Sequence, residues 1–194
     1  MPENGFDKEL LVSNLLGANT LQALYEKEKI LTNTKMIMLK ENPVEGKFDY
    51  AHLKAIHYFL FSEVYSWAGQ DRYDAHIVAK FGKGKTVFTS YAKLPDVSKV
   101  LFDALEAEAY FKGQEKEEFT LSMSIFMNGL NILHPFREGN GRVQRIFMQY
   151  LAENAGYTLN FQDILEDEMT KASIAGASGD LALVRNIFTK TISV

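Results

Sequence analysis

His134-Pro135-Phe136-Arg137-Glu138-Gly139-Asn140-Gly141-Arg142-Val143-Gln144-Arg145 sets one imidazole, one carboxylate, two glycines, an asparagine amide and three guanidiniums in twelve consecutive positions. The segment before it, Phe119 to Leu133, is apolar nearly all round (Leu121, Met123, Ile125, Phe126, Met127, Leu130, Ile132, Leu133), the pattern of a central, buried helix. A second helical stretch runs from about Gly141 to Asn154, with Gly156 as its stop. Two core helices joined by a polar loop make the fold helical. The loop itself is a poor device for stability and has the makings of a site.

Working outward, helical spacing recurs on both sides. Gly5 to Asn42 reads as mostly helical, with Asn19 or Thr20 as an N-cap for Leu21, Leu24, Tyr25, Glu28, Leu31 and Lys35. Asn42-Pro43 and Glu45-Gly46 form a turn, and Asp49 caps a helix with Leu53, Ile56, His57 and Leu60 on one face, extending toward Val64 and Trp67. Between Gln70 and Tyr91 the pattern changes. Tyr73 to Val78 and Thr86 to Thr89 are rich in strand formers and flank a Gly/Lys turn, which predicts an inserted β-hairpin. Helical periodicity resumes after Pro95 and stops before Gly113, and Asp163 to Ala175 and Asp180 to Ile192 read as two closing helices. The expected architecture is all-α with one hairpin: a single domain over 1–194, its core at about 46–160, with helices of 5–42 and 163–192 packed on it.

Composition narrows the class. With 24% charged residues and a formal charge of −4, the chain lacks the basic face that phosphate neutralisation requires of a general nucleic-acid binder. It has no cysteine, hence neither disulfides nor thiolate metal sites. No signal-peptide pattern or membrane-length apolar run is visible, so a cytoplasmic location is expected.

The loop's chemistry follows from its residue types. Pro135 disfavours helical backbone at His134, so the buried helix ends there and the imidazole sits at the mouth of the core. Gly139 and Gly141 let main-chain amides converge on a ligand, and the unpaired N–H groups opening the next helix attract anions. Arg142 and Arg145, three apart, share a helical face and add charge there. These donors outnumber what one carboxylate accepts and suit a phosphate chain. Glu138 would repel phosphate but suits Mg²⁺, which takes one or two carboxylates plus substrate phosphates. His134 is then the group that titrates near neutrality and acts as general base. Together they imply phosphoryl or nucleotidyl transfer from a Mg-nucleotide.

His134-x-Phe136-x-Glu138-Gly139-Asn140-Gly141-Arg142-x-x-Arg145 resembles the signature of the Fic family position for position. Gly46-Lys47-Phe48-Asp49, Tyr65-Ser66-Trp67-Ala68-Gly69 and Arg72 resemble its upstream elements, and Lys83-Gly84-x-x-x-Phe88 its target-docking flap. The resemblance implies a compact helical fold and transfer of AMP from ATP to a Tyr, Thr or Ser hydroxyl of a protein. It implies that His134 is the base, Glu138 holds Mg²⁺, and Gly139, Asn140 and Gly141 cradle phosphates. Arg142 and Arg145 would bind the outer phosphates, with Val143 and Gln144 between them and Lys83 and Gly84 of the flap counted in the nucleotide site. Phe136 would anchor the loop in the core, and Asn131 would orient the imidazole. A phosphorylating branch carries lysine at the position of Gly141, so glycine there favours adenylylation.

Many members restrain themselves with a Ser/Thr-x-x-x-Glu-Gly/Asn helix whose glutamate pairs with the second motif arginine, here Arg145. No copy of that pattern occurs in the sequence. A separate small antitoxin is the expected source, as in two-part bacterial toxin systems of the family, which the stretch Glu168 to Ser173 also resembles. A segment outside these residues would serve as well. Bacterial type II topoisomerases are the targets that the resemblance implies.

Three other readings compete. Ala79 to Thr86 comes within one residue of a P-loop, but the residues after Thr86 read extended and no βαβ pattern appears. A non-catalytic phosphate clamp would need no His134. A metal hydrolase is disfavoured because His52 and His57, five apart, do not share a helical face and no His-Glu-x-x-His occurs.

Overall fold

The computed structural model describes residues 5–78, 81–83 and 86–194. Eight α-helices appear among them: α1 (Gly5–Ser13), α2 (Leu21–Glu41), α3 (Tyr50–Phe61), α4 (Leu94–Ala107), α5 (Lys116–Leu133), α6 (Asn140–Asn154), α7 (Glu166–Ala177) and α8 (Ala182–Thr191). Helix α5 is central, packed by α4, α6, α7 and α8, while α3 packs on both α6 and α2. Phe119, Met123, Phe126, Met127, Leu130 and Leu133 of α5 are buried against Val143, Phe147, Met148 and Leu151 of α6 within one continuous core. Leu121 and Ile125, expected in that core, are exposed instead: the other elements cover only one side of α5.

The caps act as their chemistry dictates. Thr20 accepts from the Ala23 amide and Asp49 from the His52 amide, each holding an otherwise orphaned donor at a helix start. Helix α4 begins at Leu94 with Pro95 in its first turn, where the missing N–H costs nothing. Helix α5 starts three residues earlier than its apolar pattern, at Lys116, because Glu117 and Glu118 suit the positive end of the helix dipole. Helix α3 stops at Phe61, short of the expected Val64 to Trp67, and a run of turns carries the chain to Gly69.

The hairpin is smaller than its strand formers suggest. β1 (Gly82–Lys83) pairs antiparallel with β2 (Thr86–Val87), Gly82 opposite Val87 and Lys83 opposite Thr86. Tyr73 to Val78 is a turn and loop, not a strand. Asp71 captures the Tyr73 and Asp74 amides at 2.8 Å each, and the Asp71 carbonyl accepts from Ala75. A local carboxylate thus takes the donors that a sheet ladder would need. A second pair escapes sequence reading: β3 (Thr158–Leu159) joins β4 (Ile192–Ser193), tying the segment after α6 to the last residues.

Candidate active site

Helix α5 ends at Leu133, and His134 caps it in left-handed backbone (φ 42°, ψ 60°), its amide still bonded to the Leu130 carbonyl. The carbonyls left over at this end are gathered by Arg72, which is fully buried. Its Nε donates to the His134 carbonyl at 2.9 Å, and its Nη2 to those of Thr89 (2.7 Å) and Leu133 (3.2 Å). The Arg72 amide donates to the Pro135 carbonyl. A cation at a helix C-terminus is favourable in itself. Here it also fixes the backbone from which the imidazole projects.

The loop that follows is braced from within and below. Phe136 lies in the core, stacked on the His57 ring with centroids 4.0 Å apart. Asn140 folds its amide back on the loop, accepting from the Phe136 amide at 2.9 Å and donating to its carbonyl at 2.7 Å. His57 accepts from the Gly69 amide through Nδ1, so Nε2 carries the proton that it donates to the Glu138 carbonyl at 3.2 Å. Burial pushes this imidazole down to about 3, against the opposing effect of its bond to Glu138, so it stays neutral. Gly139 adopts φ +78°, and a Cβ there would lie 2.3 Å from the Phe61 ring; no side chain fits.

Helix α6 opens with its first amides, those of Asn140, Gly141 and Arg142, lacking intrahelical acceptors. Among the residues expected at the nucleotide, three have side chains that point elsewhere. Val143 is fully buried, Gln144 donates to the Leu130 carbonyl at 3.0 Å, and Asn140 serves the loop, because the helical period turns these positions to the core. Asn131, expected at the imidazole, donates to the Ser173 carbonyl of α7 at 3.2 Å; α7 packs on α5 there.

The two arginines also part. Arg142 turns inward: Nη2 meets Glu28 at 2.6 Å, Nη1 donates to Thr32 at 3.2 Å, and Cζ lies 4.8 Å over the Phe61 ring. Arg145 forms no ion pair among the described residues. Burial and then the Arg142 charge depress its pKa, with Glu166 partly offsetting them. It is the guanidinium left for an incoming anion. A Cβ at Gly141 would lie 3.3 Å from the Arg145 Nη1, so glycine leaves that nitrogen its room.

Glu138 is half-buried; its Oε1 accepts from the Gly139 amide at 3.0 Å, with Arg142 at 3.5 Å. Among the described residues no three His, Cys, Asp or Glu side chains converge as a metal cluster. A lone carboxylate beside the open N-terminus of α6 fits Mg²⁺ held chiefly by substrate oxygens and water.

Over the imidazole lies the flap's aromatic edge. Phe88 stacks on His134, 3.7 Å apart and within 4° of parallel, with Phe81 behind it at 6.0 Å. Lys83 lies in β1, and Gly84 lies outside the described residues, as do Ala79, Lys80 and Lys85 of the P-loop-like stretch. Thr86 there begins a strand rather than a helix, against the P-loop geometry.

Sequence reading missed Glu9 and Glu28. Glu9 of α1 pairs with buried Arg137 at 2.5 Å, and Glu28 with Arg142. A buried position for Glu28 was legible in the helical spacing of α2; its partner was not.

The sequence pattern of the Fic/DOC family matches residues 47–152. The chain is 32% identical to protein adenylyltransferase VbhT of Bartonella schoenbuchensis over 99% of its own length, and spans 38% of that relative. It is 35% identical to the probable protein adenylyltransferase Fic of Salmonella typhimurium, covering 94% of this chain and 88% of the other. Among solved structures, the N-terminal Fic domain of a Bartonella quintana effector with bound ADP superposes with a TM-score of 0.84 at 29% identity, covering 93% and 89% of the two chains. BepC of Bartonella tribocorum, with bound AMPPNP, gives 0.83 at 26%, covering 93% and 91%.

Proposed function

The chain belongs to the Fic/DOC family, and from that premise we propose that it transfers AMP from ATP to a Tyr, Thr or Ser hydroxyl of a protein. The observation that carries this reading is the convergence, on one short loop and the helix it opens, of His134, Glu138, the open N-terminus of α6 and Arg145, which has no ion pair among the described residues. Relatives named as protein adenylyltransferases and similar domains that hold ADP or AMPPNP support it.

In this scheme the α6 amides and Arg145 bind the phosphate chain and place the α-phosphorus beside His134. His134 takes the proton of the target hydroxyl as its oxygen attacks that phosphorus. The bond to the bridging oxygen of the β-phosphate breaks, and pyrophosphate leaves with the electron pair. Glu138 would hold Mg²⁺, which, when bound, neutralises charge on the phosphates. Phe88 and the β1–β2 edge present the target, and the flanking Phe88 ring fixes the plane of the imidazole.

Release of AMP-transfer activity calls for restraint. A glutamate approaching Arg145, from a separate small antitoxin or from a segment outside residues 1–194, is the proposed source; those residues hold no Ser/Thr-x-x-x-Glu-Gly/Asn pattern. Bacterial type II topoisomerase subunits are the proposed targets, and the cytoplasm the proposed location; among the described residues no helix is long and apolar enough to cross a membrane.

Phosphotransfer is the second reading, weighed against by Gly141, which stands where that branch carries lysine. Incubation with ATP and bacterial lysate followed by mass spectrometry separates the two. An AMP adduct on a protein, absent with His134→Ala, supports adenylylation; a phosphate adduct overturns it.

A further inference from the structure

Arg142 faces two carboxylates through one nitrogen. Its Nη2 is 2.6 Å from Glu28 and 3.5 Å from Glu138. Glu138 lies in the loop two residues ahead of α6 and Arg142 in its first turn, which leaves the carboxylate within reach of the guanidinium. With no other partner, the guanidinium has Glu138 as its nearest carboxylate. It is drawn the other way by Glu28 and Thr32 of α2, both buried and both outside the matched residues 47–152. Glu28 is 4% exposed, its second oxygen accepts from the Tyr65 hydroxyl, and Thr32, one turn on, occupies the other guanidinium nitrogen at 3.2 Å. The Thr32 hydroxyl is itself aimed by donation to the Glu28 carbonyl at 2.8 Å. In this poorly solvated setting the Glu28 charge is screened far less than that of half-exposed Glu138.

We infer that Glu28 is a positioning residue for the metal side of the site: it holds Arg142 away from Glu138, leaving that carboxylate available to a divalent cation. The inference rests on the reading of Glu138 as the Mg²⁺ carboxylate. It gives α2 a role in the chemistry without contact to substrate, and it makes Arg142 a strut rather than a phosphate ligand.

The test measures binding, in a His134→Ala background where no turnover occurs. Calorimetric affinity for AMPPNP is determined with and without Mg²⁺, and the ratio is the metal-dependent gain. In Glu28→Gln the neutral amide no longer competes, so Arg142 closes on Glu138. The gain then falls by up to about fivefold while metal-free affinity is unchanged. Adding Arg142→Met removes the blocking cation and restores the gain. Three results overturn the inference: a gain undiminished in Glu28→Gln, a gain still lost in the double variant, or no gain in the His134→Ala parent. Should Glu28→Gln fail to fold, the double variant, which buries no unpaired charge, carries the test by the presence or loss of its gain. AMP transfer by the His134-intact chain is scored separately. Transfer with a Glu28-insensitive gain sinks only this inference; a Glu28-sensitive gain without transfer sinks only the proposed function.

Discussion

The loop from His134 to Gly139 and the β1–β2 hairpin both reach the same imidazole, yet they are secured in opposite ways. The loop is fastened from four directions: Arg72 on its carbonyls, His57 beneath Glu138, Asn140 across its neck, and Glu9 on Arg137. The hairpin's strands are two residues each, and Val87 is largely exposed. Beyond its own ladder it is tied to the body by the Thr89 bonds to the Ile132 carbonyl, by Arg72 on the Thr89 carbonyl, and by the rings of Phe81 and Phe88 near Arg72 and His134. Phosphate chemistry needs reacting groups held within a fraction of an ångström, which only an over-determined loop supplies. A protein substrate needs an edge to pair with, and a short open strand supplies that.

Four substitutions test this contrast, taken from the largest effect to the smallest. Removing the base with His134→Ala lowers kcat for AMP transfer by roughly 10²- to 10⁴-fold and leaves nucleotide affinity within a few-fold; steady-state transfer assays and calorimetry check both halves. Equal losses in both would make His134 a structural cap alone. Next, Gly139→Ala drives a methyl into Phe61 at a positive φ and costs about 3 kcal/mol in urea unfolding. A cost near zero would mean that the loop is looser than its bonds imply.

His57 gives a pH signature. Its neutral form is what the fold holds, with the folded value near 3 against an ordinary 6.5. The stabilisation is therefore fully present above about pH 6.5 and declines as pH falls toward 3, by up to about 1.4 kcal/mol per pH unit. Urea midpoints should show a shallower acid decline in His57→Gln than in the parent; parallel curves would remove His57 as the loop's prop. Smallest in stability is Val87→Lys on the flap, expected within about 0.5 kcal/mol of the parent. It should raise KM for the protein target without changing ATP affinity, and a matching loss in ATP binding would abolish the division between loop and flap.

Much of this was legible beforehand because it is periodic or local. Thr20 and Asp49 announce helix starts by their side-chain oxygens, Pro135 announces the end of α5, and the glycines mark where a backbone approaches a ligand or another ring. The turn at Tyr73 to Val78 was misread because strand propensity is weak against a carboxylate that bonds its own neighbours. Val143 and Gln144 were placed at the nucleotide although their position on the helical period turns them inward. The family resemblance covers a motif, and a motif does not say which of its side chains face the ligand.

By itself the sequence determined the helices, the site loop and the chemical kinds of group gathered there, since these follow from spacing and side-chain type over a few turns. Only the tertiary structure decided who holds whom. Arg142 takes Glu28 from 114 positions away over Glu138 at four, His57 reaches the Glu138 carbonyl across 81, and Arg72 closes the end of α5 across 62. Partner choice between buried charges depends on which elements pack together and how far water is excluded between them. No local pattern encodes either.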